Sequence, residues 1–187
     1  MQPQSPSYGL ALHTSSPDLG LAISNFAGDD RHQVWSLGRD TSNLLHSYLV
    51  EFLQPQTWKD LMFVAVANGP GGFTGTRIGV VAARTLAQQL EIPLFAISTL
   101  AAVAWNEGRT LGKPIEIAVQ MPAQRGQMFG AIYRIDSPYL PDQREQSHLP
   151  PCQGGQGGIS MNLAPPRLIT RLPDAVMALD TWQQTLE

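Results

Sequence analysis

The sequence predicts an α/β fold in which three antiparallel strands precede alternating helices and parallel strands. Short alternating apolar runs near the N-terminus indicate the first strands. Two continuous apolar runs, Leu61–Ala67 and Leu94–Ile97, are typical of parallel strands that are buried on both faces. Longer segments repeat apolar residues at helical spacing. This order of elements is that of a ribonuclease-H-like half-domain, an α/β arrangement with helices packed on the sheet.

The first three strands are expected at Tyr8–Thr14, Leu19–Ser24 and His32–Leu37. Residues Ser15–Asp18 favour a turn, and so short a connection implies that the first two strands pair antiparallel. A helix should follow with Asp40 or Thr41 as its N-cap, and Pro55 should end it.

A glycine-rich loop joins the run ending at Ala67 to a second helix. The residues of interest in this loop and the first helical turn are Gly69, Gly71, Gly72, Thr74, Gly75 and Arg77. Such a layout suits an anion or a closely packed backbone, with Thr74 as the N-cap. The phosphate-binding lysine loop is excluded, because Thr76 rather than Lys follows Gly75. From the residues alone, a tight turn with glycines at positive φ is favoured over a ligand site.

The rest of the chain predicts a third helix from Ser98 or Thr99 and two further strands at Ile115–Val119 and Met128–Ile135, with a final helix from Pro173 onward. Residues 137–166 are rich in Pro, Gly and Gln, which predicts a loop or disorder. We therefore expect an N-terminal lobe at residues 1–112 and a reduced second lobe at 113–187.

Composition limits the classes of function. Charged residues make up 14% of the 187-residue chain and the formal net charge is −3, which argues against strong nucleic-acid binding. Cys152 is the single cysteine, so no intrachain disulfide can form and a reducing compartment is expected. We find no signal peptide and no membrane span, and we predict a cytoplasmic protein without a membrane partner.

No catalytic residue, metal site or cofactor is predicted. The four histidines are His13, His32, His46 and His148, and no two have the spacing of a helical metal pair. Cys152 has no basic neighbour that would lower its pKa. His13 is expected on a sheet with its polar groups satisfied rather than as a ligand.

The stretch GPGGFTGTRIGVVAARTLA, followed by IPLFAISTLAAVA, resembles the TsaB (YeaZ) family. Members of that family are non-catalytic, dimerising subunits of the machinery that makes threonylcarbamoyladenosine in tRNA. The resemblance covers the first two thirds of the chain well and the last third poorly. It implies the duplicated fold of actin, Hsp70 and the sugar kinases, with the strands from Ile115 onward beginning a truncated second half.

The chain departs from the relatives of this fold at three positions. His13 stands where they carry an Asp, and their DARxGE segment reads PAQRGQ, with Pro122 and Gln127 in place of the acids. Carboxylates, not imidazole, are the natural ligands of Mg²⁺. The HxxxH metal site of TsaD is also missing. We therefore predict that the cleft performs no nucleotide or transferase chemistry.

The resemblance implies that the first two helices bundle with those of TsaD or of a second TsaB. The candidate interface residues are Leu44, Tyr48, Gly79, Ala83 and Ala87. The last three form a stripe of small residues, which lets a helix approach closely, although the helix propensity of Ala explains it equally well. Ala83→Arg is expected to abolish partner binding with little loss of folding.

The first hypothesis is thus a scaffold subunit that forms a heterodimer with a TsaD-type transferase and activates it, with a TsaE-type ATPase as a further partner and tRNA contacted only indirectly. The alternative is a divergent ATP-binding phospho- or carbamoyltransferase of the same superfamily. A glycoprotease is a third and weaker hypothesis. The sequence leaves open whether the isolated chain is a homodimer or a monomer.

Overall fold

The computed structural model describes residues 7–111, 113–136 and 166–186. It divides the chain into two compact units, with the boundary between Leu100 and Ala101. The predicted loop at residues 137–166 lies outside the described residues except for its last position, as do His148 and Cys152.

The first unit contains a five-stranded mixed sheet. Its strands are β1 (Tyr8–His13), β2 (Asp18–Ser24), β3 (Asp30–Ser36), β4 (Leu61–Ala67) and β5 (Leu94–Ile97). They lie in the order β3-β2-β1-β4-β5. The first three pair antiparallel, and β4 pairs parallel with both β1 and β5. The helices of the first unit are α1 (Thr41–Leu53) and α2 (Phe73–Leu90). Helix α3 (Thr99–Gly108) follows β5 and belongs to the second unit from Ala101 onward, so the predicted order of elements is confirmed.

The core of this unit lies between one face of the sheet and helices α1 and α2. Alternate strand residues point to that face, as the two-residue period of a strand requires. The sheet contributes Leu10, Leu12, Leu19, Leu21, Ile23, Val64 and Val66, and the helices contribute Leu45, Leu49, Phe52, Ala82 and Ala83. Burial of these side chains holds the two helices on the sheet.

The predicted N-cap position of α1, Asp40, is confirmed, whereas Thr74 as the N-cap of α2 is wrong. Asp40 precedes α1 but makes no capping hydrogen bond, because a short 3-10 helix, Gly38–Asp40, runs directly into α1. The Thr41 hydroxyl instead donates to the carbonyl oxygen of Gly38 at 3.0 Å. Helix α2 begins at Phe73 with Gly72 as its N-cap, so Thr74 lies within the first turn.

The predicted burial of Leu94–Ile97 on both faces is also wrong. Strand β5 is the edge strand of the sheet, and it pairs only with β4. Its side chains are exposed, including Phe95 at 50% and Ile97 at 43%. An edge position leaves one side of a strand without a neighbour, so a continuous apolar run there does not require full burial.

The end of α1 is held by a residue of the sheet. One terminal nitrogen of Arg31 donates to the carbonyl oxygens of Phe52, Leu53 and Gln54 at 2.8–2.9 Å. The guanidinium also lies 5.2 Å from the centroid of the Phe52 ring. Arg31 therefore satisfies carbonyls that a helix C-terminus leaves unpaired and places a positive charge at the negative end of the helix dipole.

The second unit is built on an antiparallel sheet of three strands in the order β6-β7-β8. These are β6 (Ile115–Pro122), β7 (Gln127–Asp136) and β8 (Arg167–Ala178), followed by helix α4 (Leu179–Leu186). The predicted hairpin around Arg125 and Gly126 is confirmed, and both residues have positive φ, at 58° and 70°.

The predicted helix from Pro173 is wrong for its first half. Residues up to Ala178 continue strand β8, which pairs with β7 along most of its length. Only Leu179–Leu186 is helical, and its Trp182 is buried against Gly130. Long-range pairing to β7 thus prevails over an apolar spacing that also fits a helix. Within the described residues, no helix has the length and hydropathy needed to span a membrane.

Candidate functional site

The glycine loop packs directly against the end of β1. A Cβ built on Gly71 would lie 2.3 Å from the Ser15 carbonyl oxygen, and one on Gly75 would lie 2.2 Å from that of Thr14. Two hydrogen bonds join the same segments: the Gly72 N–H donates to the Ser15 carbonyl at 2.7 Å, and the Thr14 hydroxyl donates to the Gly75 carbonyl at 2.8 Å. Only glycine fits at positions 71 and 75, because backbone approaches backbone.

Gly79 extends this contact one helical turn further. A Cβ at this position would lie 2.2 Å from the Thr14 hydroxyl oxygen, and the Thr14 side chain is fully buried. We call Gly71, Gly75 and Gly79, with Thr14 and Ser15 facing them, the glycine seam. The seam explains these glycines by close packing of backbone on backbone, whereas the prediction that the loop glycines supply positive φ is wrong for Gly71, Gly72 and Gly75. Gly69 does adopt positive φ, at 100°, and its carbonyl accepts from the Thr99 N–H at 2.8 Å.

A cleft of about 640 Å³ opens beside the seam. It lies between the β1–β2 turn, the start of α1 and the start of α2. Its lining residues are Ser15, Ser16, Pro17, Gly38, Arg39, Thr41, Ser42, Gly72, Phe73, Thr74, Gly75 and Ile78. Arg39 is the single charged side chain among them, and no carboxylate lines the cleft. Hydroxyls and one guanidinium can donate to an anion, but no residue of this lining offers the carboxylate oxygens that Mg²⁺ prefers.

His13 lies at the end of β1 and is half-buried. The alternation of the strand places it on the sheet face opposite α1 and α2, paired with Gly20 of β2. Burial lowers the pKa of the imidazole below its ordinary value of 6.5, and nearby Asp18 opposes this shift. His13 is therefore neutral at physiological pH. Among residues 7–111, 113–136 and 166–186, no group of three or more His, Cys, Asp or Glu is arranged to hold a metal ion.

Pro122 and Gln127, which stand where relatives carry acidic residues, flank the β6–β7 hairpin of the second unit. Pro122 ends β6 and Gln127 begins β7, and both are exposed. The Ala123 N–H donates to the Gln127 carbonyl at 2.9 Å, which closes the turn. These positions therefore shape a hairpin and supply no acidic side chain.

The outward surface of α1 and α2 is apolar around a groove of about 460 Å³. The groove is lined by Ser42, Leu45, His46, Arg77, Ile78, Val81, Ala82, Thr85 and Leu86. Val81 is 63% exposed at its edge, and Val50 of α1, one helical turn after His46, is 53% exposed. We call this surface the α1–α2 face. Leu44 is 37% exposed but lies about 160° around α1 from the groove-lining Ser42 and His46, so it is not at the groove. Tyr48 is half-buried, because its ring packs 4.9 Å from that of Trp35.

The small-residue stripe does not lie on the α1–α2 face. Gly79, Ala83 and Ala87 are buried, and Ala83 is fully inaccessible to solvent. Their predicted exposure is wrong, because the stripe lets α2 approach the sheet and the end of β1. Two residues that sequence reasoning missed lie on the outer side of the helix, namely Val81 and Phe73. The helical period predicts the outward position of Val81, because it places this residue about 160° around the helix axis from both Gly79 and Ala83.

The order of the five-stranded sheet and the helices that cover it define an actin-like α/β protein. The sequence profile of the family described as "TsaD: tRNA N6-adenosine threonylcarbamoyltransferase" matches residues 49–148. Curated relatives carry the name "tRNA threonylcarbamoyladenosine biosynthesis protein TsaB". The Bacillus subtilis protein is 35% identical over 143 residues, which cover 72% of this chain and 60% of that protein. The Escherichia coli protein is 36% identical over 77 residues, or 41% and 33% of the two chains. The chain belongs to the TsaB (YeaZ) family.

Two solved structures from Pseudomonas aeruginosa share the fold. One, an uncharacterized protein with similarity to peptidase YEAZ, has a TM-score of 0.68 at 22% identity and covers 92% of this chain and 67% of that one. The other, YeaZ, has a TM-score of 0.62 at 26% identity and covers 68% and 60% of the two chains. The chain spans 60% of the length of its Bacillus subtilis relative.

Proposed function

We propose that this chain is a non-catalytic subunit of tRNA threonylcarbamoyladenosine synthesis. In this proposal it binds a TsaD-type transferase through the α1–α2 face and holds that enzyme in its active state. The observation that carries the proposal is the exposed Val81 at the edge of an apolar groove between the two helices. The names of the curated TsaB relatives supply the pathway.

The α1–α2 face has the chemistry of a helix-binding surface. Its floor is formed by Leu45 and Ala82, which belong to the core, and its edge by Val81 and Ile78. Exposed apolar side chains that border a groove mark interaction sites more often than isolated ones do. A partner helix would place an apolar side chain in the groove and cover Val81, as in other helix-in-groove complexes.

The lack of acidic side chains in the cleft lining and at the positions where relatives carry them supports a non-catalytic role. His13 is neutral, the cleft beside the glycine seam has no carboxylate in its lining, and Pro122 and Gln127 replace the acids of relatives. Chemistry on nucleotide phosphates relies on Mg²⁺ and on carboxylates that hold it. We therefore assign catalysis and direct tRNA contact to the transferase, with a TsaE-type ATPase as a further member of the complex.

Size-exclusion chromatography with light scattering tests the proposal. The purified chain is measured alone and after mixing with the TsaD-type transferase of the same organism. A peak with the summed mass of one copy of each protein supports the proposal. Separate elution of the two at micromolar concentrations contradicts it. The mass of the chain alone decides between a monomer and a homodimer.

A divergent ATP-binding phospho- or carbamoyltransferase is the second candidate. The cleft of about 640 Å³, with Arg39 and several hydroxyls in its lining, favours it. Calorimetric titration with Mg-ATP separates the two hypotheses. Saturable heat that Arg39→Gln removes would support the enzyme, whereas the scaffold proposal predicts no saturable binding. A glycoprotease has no structural support within the described residues beyond the fold.

A further inference from the structure

Arg77 is held in place by an aromatic neighbour on the same helix. Its guanidinium carbon lies 4.4 Å from the centroid of the Phe73 ring, and the two residues are one helical turn apart on α2. The Phe73 ring is 71% exposed, so the pair lies on the surface. Stacking on an aromatic face orients the planar guanidinium and leaves its edge free to donate.

The same guanidinium borders the groove of the α1–α2 face. The groove lining contains no Asp or Glu, and Arg77 is its only formally charged side chain. The ion pairs found in the described part of the chain join Arg134 to Asp136 and Arg171 to Glu116, all in the second unit. An oriented positive charge thus lies beside an apolar groove, without an acidic partner among the described residues.

We infer that Arg77 is a specificity-determining residue that binds a carboxylate on the partner's helix. This inference rests on the proposed function and specifies the partner. The occupant is a helix of the transferase that carries an apolar side chain for the groove and, about one turn away, an Asp or Glu for Arg77. Phe73 acts as the positioning residue, because it fixes the plane of the guanidinium before the partner arrives.

Charge complementarity is the reason why we choose a helix with a carboxylate as the occupant of the groove beside Arg77. A carboxylate accepts two parallel N–H bonds from a guanidinium, and that geometry is specific to the planar fork of Arg. Because the stack with Phe73 already orders the Arg77 side chain, binding loses less conformational freedom. At the rim of an apolar groove the pair is partly shielded from water, which strengthens it relative to an exposed pair.

Four variants test the inference by calorimetric titration with the TsaD-type transferase at low and high salt. Arg77→Gln is expected to weaken binding about tenfold and to reduce its salt dependence. Arg77→Lys should lose a large part of this affinity, because Lys cannot form the two-pronged contact. Phe73→Leu should weaken binding while the salt dependence remains. Arg109→Gln is the matched control, an exposed arginine outside α1, α2 and the groove lining, and should bind like the unmodified chain.

The outcomes separate the two claims. If the unmodified chain binds the transferase and Arg77→Gln binds equally well, the inference is overturned while the proposed function stands. If the unmodified chain does not bind, the proposed function fails and the inference falls with it. A melting temperature that drops with affinity in Arg77→Gln would assign the residue to folding and overturn the inference. Arg77-dependent self-association of the chain alone would show that the occupant is a second copy, and would also overturn it.

Discussion

Gly79 of α2 lies so close to Thr14 of the β1–β2 turn that a Cβ at position 79 would meet the threonine hydroxyl oxygen at 2.2 Å. Thr14 is fully buried and uses that hydroxyl to donate to the Gly75 carbonyl. Helix α2 therefore cannot pack on the sheet in this way unless residue 79 lacks a side chain. The glycine seam fixes the height of α2 above the sheet, and with it the outer surface that we propose binds a partner.

Gly79→Ala is expected to lower the free energy of unfolding by about 1–3 kcal/mol, because the new methyl group must displace Thr14 from a packed core. Gly72→Ala is the matched control in the same segment, since its Cβ would lie 3.6 Å from the Ser15 carbonyl, an ordinary contact. Urea denaturation followed by circular dichroism measures both. Equal stabilities of the two variants would show that the seam tolerates a side chain.

Ala83→Arg should unfold the first unit rather than act only on partner binding. Ala83 has no solvent exposure, so the substitution forces a long charged side chain into the core, with an expected loss of more than about 3 kcal/mol. Gln88→Arg places the same side chain on the exposed side of α2 and should be close to neutral. The melting temperatures of the two variants distinguish these cases. A normal melting temperature for Ala83→Arg would show that the small-residue stripe is exposed and would contradict its burial against the sheet.

Arg31→Met is expected to cost about 1–3 kcal/mol, because three carbonyl groups at the end of α1 lose a charged donor. Methionine retains much of the apolar length that contacts Phe52. Arg84→Met, at an exposed position of α2, controls for the loss of one positive charge. The comparison is made by chemical denaturation at neutral pH. A loss of similar size in both variants would contradict the assignment of Arg31 as the cap of α1.

His13 should make stability depend on pH. Its pKa is lower in the folded protein than its ordinary value of 6.5, so the unfolded chain binds the proton first as pH falls. The stabilising contribution is fully present above pH 6.5 and is lost as pH falls from there through the folded pKa. The free energy of unfolding should therefore decrease on acidification through this window.

His13→Asn removes the group that titrates, so the free energy of unfolding of this variant should change less with pH below 6.5 than that of the unmodified chain. Denaturation curves collected at intervals from neutral to mildly acidic pH provide the measurement. An identical pH dependence in the variant and the unmodified chain would assign the slope to other groups. Asp18 faces the imidazole and opposes its shift, so Asp18→Asn should enlarge the slope.

The periodic spacing of apolar residues correctly predicted several strands and helices whose residues are close together in the sequence. Leu61–Ala67 is a short apolar run between turn residues, and it forms a strand with those bounds. The stripe at Leu45, Leu49 and Phe52 faces the core, as its spacing requires. The position of the glycine loop, between a strand and a helix, is also correct, although the predicted burial of Leu61–Ala67 on both faces is wrong because Met62 is 42% exposed.

The predictions that are wrong concern features that depend on contacts between residues distant in the sequence. A stripe of Gly and Ala suits close packing against either a sheet or a partner helix, and only the pairing of α2 with Thr14 decides between them. The residues from Pro173 to Ala178 fit a helix by spacing, but they pair with β7 instead. The capping of α1 by Arg31 joins residues more than twenty positions apart and leaves no local signal. The Phe73–Arg77 pair does have a local signal, because side chains four residues apart on a helix are neighbours.

The most direct test of the account is the binding of the TsaD-type transferase to Val81→Glu and Val34→Glu. Both valines are exposed to nearly the same extent, 63% and 62%, but Val81 borders the α1–α2 groove and Val34 lies on the edge strand β3. Calorimetric titration, with melting temperatures as a check on folding, compares them. The account predicts that Val81→Glu loses at least tenfold in affinity, or about 1.4 kcal/mol, while Val34→Glu binds like the unmodified chain. Equal binding by both variants, or loss in Val34→Glu alone, would contradict it.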